Sequence, residues 1–317
     1  MSLDDPEIVR AQYATEAGLE TRRSVYETQE CDDPLQVEFA AIAACHPRRV
    51  LEVGPGPGEL SARMMAELGA EVAALDVSER MVELSHAKGV DAQLGDVQSL
   101  PFADRTFDTV VAAHMLYHVT DLDGGLAEIA RVLTQRGRLV ATTNSEFHLE
   151  EARVHAGVSM VGRVSFSREN GRKILERHFA AVEQIDVDGL VTFADAEAIR
   201  RYIRSMIMFA NESNAERVPD DLSRVRAGTR VTVFVAQRVR RTARGCPQPP
   251  VTRDHGAVGL LRRSLWSKLD VDTRPRRVGE CFAVGGEAFE MEGDCRTHVC
   301  DALVQRVPDA GAAWKVR

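Results

Sequence analysis

Glu52, Asp76 and Asp96 each stand at or near the end of an apolar run. The first is followed at once by alternating glycines, in Glu52-Val-Gly54-Pro-Gly56-Pro-Gly58. Backbone without Cβ atoms can turn sharply and come close to a ligand. An apolar strand, a glycine-rich turn and a helix start together shape a nucleotide-type pocket in an open α/β sheet. The dinucleotide pattern G-x-G-x-x-G asks for a third glycine at 59, and the chain has Glu59 there. A carboxylate ending a second strand can accept hydrogen bonds from both hydroxyls of a ribose. Asp76 follows Gly54 at close to the ~20-residue offset typical of such an acid. Further along, His114, Tyr117 and His118 follow the apolar run 107–113. A histidine there can accept a proton from a hydroxyl or amine, and it can equally be a satisfied structural group.

The elements that must hold these residues are readable from periodicity. Residues 6–44 read as helical, 49–53 as a short buried strand, and 59–68 as a helix stopping near Gly69. Val72 to Leu75 is a second strand running into Asp76, and Ser78 can cap the helix after it. Asp91 to Leu94 is a third strand, before Gly95-Asp96. Phe107 to Ala113 is a fourth, apolar throughout as in a strand covered on both faces. A helix over 122–133 closed by Gly137 and a fifth strand over 138–143 come next. They are followed by a mixed stretch, a helix over 168–179, a strand over 182–187, a helix over 193–210 and a strand over 229–237. Such alternation predicts an α/β fold with a doubly wound, mostly parallel sheet and right-handed crossovers.

The form E-x-G-x-G-x-G resembles motif I of the class I S-adenosylmethionine (SAM)-dependent methyltransferases. The resemblance covers residues 7–239 and is closest to the small-molecule branch, through Ala113-His-Met-Leu-Tyr-His-Val119 and Leu126-Ala-Glu-Ile-Ala-Arg-Val-Leu133. It implies a Rossmann-like sheet of seven strands with an antiparallel edge hairpin, and SAM as cofactor. By position it implies that Glu52, Gly54, Gly56 and Gly58 hold the methionyl part and Asp76 the ribose. Asp96 and Val97 would hold the adenine, with Ala113 and His114 beside the sulfonium. The N-terminal helical segment, residues 1–45, resembles the family's lid over the pocket. Tyr13, His114 and His118 are then the candidates for contact with the reacting methyl and for proton transfer, with Tyr117 and His118 facing substrate. A base is not obligatory, because positioning and desolvation can supply most of the acceleration of an in-line displacement.

Composition narrows the partners. The chain has 317 residues, 44% of them hydrophobic, with a formal net charge of −8. Residues 1–239 carry 26 Lys+Arg against 38 Asp+Glu, and residues 240–317 carry 14 against 10. An acidic domain makes neither nucleic acid nor an anionic membrane the default partner, and a small-molecule acceptor is expected. With no signal peptide and no spanning apolar run, a cytoplasmic protein is expected, with its six cysteines as thiols. A homodimer is compatible with these readings.

After residue 239 the basic, proline-rich stretch Arg240 to Pro250 reads as a linker into a C-terminal extension, 240–317, of unassigned role. Few apolar runs follow it, so part of the extension is a candidate for disorder. Its Cys246, Cys281, Cys295, Cys300, His255 and His298 lack the paired spacing of a zinc site, and no metal is expected.

The expected activity is methyl transfer from SAM to an oxygen or nitrogen of a small molecule of specialised metabolism. The carboxylate-rich mouth suggests a cationic amino sugar or guanidine, and C-methylation of a quinone-like ring stays open. Three alternatives are an RNA or protein methyltransferase docking through the basic tail, a non-catalytic SAM-binding subunit, and a nicotinamide oxidoreductase. An intact glycine motif with all three acids weighs against the non-catalytic subunit, and the Gly95-Asp96 pair weighs against the oxidoreductase, which would share Asp76.

Overall fold

Val50, Leu51 and Val53 are wholly buried in a strand, β1 (Arg49–Val53), that hydrogen-bonds in parallel to a neighbour on each side. That is why the run is apolar on both faces. The computed structural model describes residues 6–30, 33–206 and 212–238, and the backbone of four strands beyond residue 280.

The chain divides into two units, Met1–Gln248 and Pro249–Arg317. The first opens with α1 (Pro6–Gln12), α2 (Ala17–Ser24) continued by a 3-10 turn (Val25–Thr28), and α3 (Pro34–Ala43). After β1 come α4 (Glu59–Leu68), β2 (Glu71–Asp76), α5 (Glu79–Ala87), β3 (Asp91–Leu94), β4 (Phe107–Ala113), α6 (Leu122–Val132) and β5 (Leu133–Asn144). Then follow α7 (Glu150–Arg153), α8 (Gly171–Leu175), β6 (Ala181–Phe193), α9 (Ala196–Arg204), α10 (Glu212–Glu216) and β7 (Val225–Gln237).

The seven strands lie in the order β3-β2-β1-β4-β5-β7-β6. β7 alone runs antiparallel to its neighbours, so the other six are parallel to one another. The strand order reverses between β1 and β4, and a crevice opens beyond the carboxyl ends at such a switch point. One face of the sheet is sealed by the apolar side of α6. Its Leu126, Ile129 and Val132 are fully buried against Val110, Leu139 and Phe234.

Local chemistry sets the element ends. Gly58 (φ 83°) opens α4 and Gly69 (φ 64°) closes it. Ser78 caps α5 by accepting from the Met81 amide, and Asp33 caps α3 with Pro34 at its first turn.

Several boundaries depart from the sequence expectation. The N-terminal stretch is three helices, broken at residues 13–16 and 29–33. Gly137 does not close α6. That helix passes directly into β5 at Leu133, and Gly137 lies inside the strand, where the register with β4 shifts. The helix expected over 168–179 is one turn, α8, and the last strand begins four residues earlier than expected, at Val225.

The second unit contains β8 (Cys281–Val284), β9 (Glu287–Met291), β10 (Val304–Arg306) and β11 (Trp314–Val316), in the order β10-β11-β9-β8. The side chains of the cysteine and histidine group read in the tail lie outside the described residues. Among the described residues no cluster of three metal-ligating side chains occurs, and no helix is long and apolar enough to cross a membrane.

Candidate active site

The turn after β1 is built by three glycines in the left-handed region, Gly54 (φ 67°), Gly56 (φ 55°) and Gly58. Each is glycine for its own reason. A Cβ on Gly54 would lie 2.8 Å from the Met115 Cβ, and one on Gly58 would lie 2.9 Å from the Ser85 Cα. A Cβ on Gly56 would meet nothing within 4 Å. The backbone at 56 therefore faces open space that a ligand can enter.

Asp76, at the end of β2, holds that turn. One carboxylate oxygen accepts from the Gly56 amide at 3.3 Å and the other from the Ser78 amide at 2.9 Å. It is 8% exposed, and burial lifts its pKa to about 6. Glu52 is fully enclosed and accepts from the Ser61 hydroxyl. Burial first, then the negative charges of Glu38 and Asp76, push its pKa up to about 8. Asp96 is exposed at the end of β3. Its carboxylate accepts from the Gln98 amide at 2.9 Å and from the Gln98 side chain at 2.9 and 3.1 Å, while Val97 beside it is buried.

Beyond β4, His114 has φ 53°, and its amide donates to the Thr142 carbonyl at 2.9 Å. Burial drives its pKa down to about 4, so the ring is neutral near pH 7. His118 meets two tyrosines. Its Nε2 lies 3.0 Å from the Tyr13 hydroxyl, and its ring packs edge-on against Tyr13 (centroids 5.6 Å) and Tyr117 (4.3 Å). Tyr13 is itself anchored, because its carbonyl accepts from the Ser78 hydroxyl at 3.1 Å.

Of the residues singled out from the sequence, all but Gly58 line one cavity of about 600 Å³, within the usual span for a small-molecule site. Every residue singled out from the sequence for cofactor or catalysis thus falls on or directly beside that wall. Five further wall residues escaped the sequence. Glu38, on α3, accepts from the Thr142 hydroxyl at 2.5 Å, and burial lifts its pKa to about 7. An acid among apolar neighbours in Pro34–Ala43 is the one local signal it left. Arg22 and Tyr26 stand one helical turn apart, a spacing visible in the sequence. His148 and Asn144 lie on the far side of the sheet order and left no signal.

The fold and the acid-terminated glycine turn define the class I SAM-dependent methyltransferases. Residues 51–141 match the family described as Methyltransferase domain, so this stretch of the chain is a SAM-dependent methyltransferase domain, with SAM as its cofactor. Among curated relatives, the demethylmenaquinone methyltransferase of Thermobifida fusca is 38% identical over 112 residues. These are 33% of this chain and 47% of the relative, so the chain spans about half its length. The malonyl-[acyl-carrier protein] O-methyltransferase of Chlorobium luteolum is 27% identical over 209 residues, 63% of this chain and 78% of that one. The YcgJ protein from Bacillus subtilis, a solved structure, is 18% identical with a TM-score of 0.48, over 65% of this chain and all of that one.

Proposed function

We propose that this protein transfers a methyl group from SAM to an oxygen or nitrogen atom of a small-molecule acceptor. The carrying observation is that one cavity joins the glycine turn and Asp76 to the Tyr13–His118 pair. Cofactor and acceptor can therefore meet inside a single enclosure. The open space over Gly56 and the half-used carboxylate of Asp76 fit the cofactor's amino-acid and ribose ends.

When bound, SAM supplies an electrophilic methyl on a sulfonium. In this reading Glu52, Gly54, Gly56 and Gly58 bind its methionyl end and Asp76 its ribose diol. Val97, with Asp96, flanks the adenine, and Ala113 and His114 lie beside the sulfur. His114 is too weak a base for proton transfer near neutrality, because burial holds it in the neutral form. His118 then accepts the proton released by the acceptor, with Tyr13 fixing its ring. The walls of buried aromatic and aliphatic groups exclude water and hold the acceptor in line.

Calorimetric titration of SAM, S-adenosylhomocysteine and NAD tests the reading. The first two bind and NAD does not. Asp76→Ala weakens SAM by about 1–3 kcal/mol, as for a lost charged hydrogen bond. Unchanged SAM affinity in folded Asp76→Ala protein removes the assignment.

A further inference from the structure

The helical stretch 17–28 turns one face to the cavity, with Leu19, Arg22, Arg23 and Tyr26 at positions i, i+3, i+4 and i+7. Two of these side chains present unfilled donors. Arg22 is anchored through Nη1, which donates to the Ser205 carbonyl at 2.5 Å. Its Nη2 is buried and has no hydrogen-bond partner. A guanidinium always carries its charge and offers donors only. The cavity's acids do not neutralise it. Glu59 faces Arg23 and Lys88, each at 3.4 Å, Asp33 caps α3, Glu38 and Glu52 take Thr142 and Ser61, Asp76 takes the Gly56 and Ser78 amides, and Asp96 takes Gln98.

Tyr26 is a donor by a different route. The Arg230 amide donates to His148 Nδ1 at 3.0 Å, so that nitrogen bears no proton. In the neutral ring the proton is then on Nε2, which lies 3.0 Å from the Tyr26 hydroxyl. The ring is kept neutral, since burial drives its pKa down to about 3. Nε2–H donates to the Tyr26 oxygen, and the phenol, which burial also keeps protonated, is left to give its own proton to something else. Among the described residues nothing accepts it. An amide N–H, an imidazole and a phenol thus form a one-way chain ending in the cavity. The orientation is set by the backbone of β7, not by the ligand.

We propose that the methyl acceptor enters carrying an oxyanion, either a carboxylate or an ionised enol or phenol, held by Arg22 Nη2 and the Tyr26 hydroxyl. This rests on the methyltransferase reading and gives it a substrate class. A cationic amino sugar or guanidine, suggested by the acid-rich sequence, meets here an arginine whose Nη2 has no partner. An ionised enol or phenol would be oriented by the same groups that raise its preference for the anionic form.

The test uses the full chain saturated with S-adenosylhomocysteine. Calorimetry measures four probes: benzoate, 2-hydroxy-1,4-naphthoquinone as its enolate, uncharged 1,4-naphthoquinone, and benzamidine. At least one anion binds more tightly than both the uncharged quinone and benzamidine, and whichever anion binds identifies the source. Arg22→Met and Tyr26→Phe each weaken that anion about tenfold or more, with S-adenosylhomocysteine affinity retained. Tyr26→Phe is conservative enough to keep the comparison if Arg22→Met does not fold. Preference for benzamidine, no anion binding at millimolar concentration, or variants within twofold of wild type overturns the proposal. Absence of S-adenosylhomocysteine binding overturns the methyltransferase reading instead, and the probe ranking is then measured on the chain alone.

Discussion

Replacing Glu52 with Gln pulls stability and cofactor affinity in opposite directions. Glu52 is wholly enclosed, and its carboxyl titrates near 8 in the fold against 4.5 for the free side chain. Between those values the unfolded chain has lost the proton and the folded one has kept it, so stability falls as pH rises from about 4.5 to about 8. At pH 7 the gap corresponds to roughly 3 kcal/mol held against the fold. Glutamine has the same shape and no proton to lose. Its carbonyl oxygen can still accept from Ser61. Urea denaturation of the cofactor-free protein should therefore show the variant equal to wild type near pH 4.5 and more stable by up to about 3 kcal/mol at pH 7. Cofactor binding goes the other way. A cationic ammonium group favours ionised Glu52, so wild type releases a proton on binding SAM and gains affinity as pH rises towards 8. The variant binds more weakly, by about 10-fold or more, and its affinity loses that component of the pH dependence. Titration in buffers of different ionisation enthalpy reads the proton directly. Equal denaturation midpoints at pH 7 together with unaltered SAM affinity would refute the reasoning about this buried acid.

The glycines separate packing from ligand approach. Gly54→Ala drives a Cβ against Met115 and lowers the melting temperature, whereas Gly56→Ala adds only the left-handed backbone cost of about 1 kcal/mol and chiefly abolishes SAM binding. Differential scanning fluorimetry with and without SAM distinguishes them. For proton transfer, His118→Ala retains SAM affinity and slows single-turnover methylation by ~10²–10⁴-fold if His118 is the base. A loss of only a few-fold with a flat pH profile assigns the rate to positioning. A chain ending at residue 240 folds and binds SAM like the full protein, as checked by circular dichroism and calorimetry. Insolubility of that truncation disproves the proposed domain boundary.

What could be read from the sequence is what local chemistry dictates. Glu52, Asp76 and Asp96 were recognisable because each follows an apolar run, and a strand end in a parallel sheet is where a ligand lies. Gly69 was readable as a helix stop because the residue past α4 adopts φ 64°, which glycine tolerates. Gly137 carries the same letter with a different meaning. It sits where β5 shifts register against β4, and residue type alone cannot separate a helix stop from a strand irregularity. The break after Gln12 had no proline or glycine to announce it. Glu38, Tyr26 and His148 were illegible for a further reason: their partners are remote. Glu38 finds Thr142 and Tyr26 finds His148 only after the sheet has assembled. How the charges around the cavity are engaged was illegible on the same account. Counting acids ignores that those lining the cavity are already hydrogen-bonded, while Arg22 keeps one nitrogen free.

The place of β7 governs how the chain must be made. It is the last strand of its sheet to leave the ribosome, yet it occupies an interior position and is the strand neighbour that pairs β6 along its whole length. Until Val225–Gln237 emerges, the nascent chain carries the bare edge of β5 on one side and, on the other, a thirteen-residue β6 bridged by Glu30 at Leu190 but without its strand partner. Open strand edges recruit other chains, and contacts this distant in sequence form slowly. Vectorial folding therefore stalls at β5 and completes in one late insertion. Within this sheet, that interval is where exposure of open strand edges, and with it the tendency to aggregate, is expected to be largest.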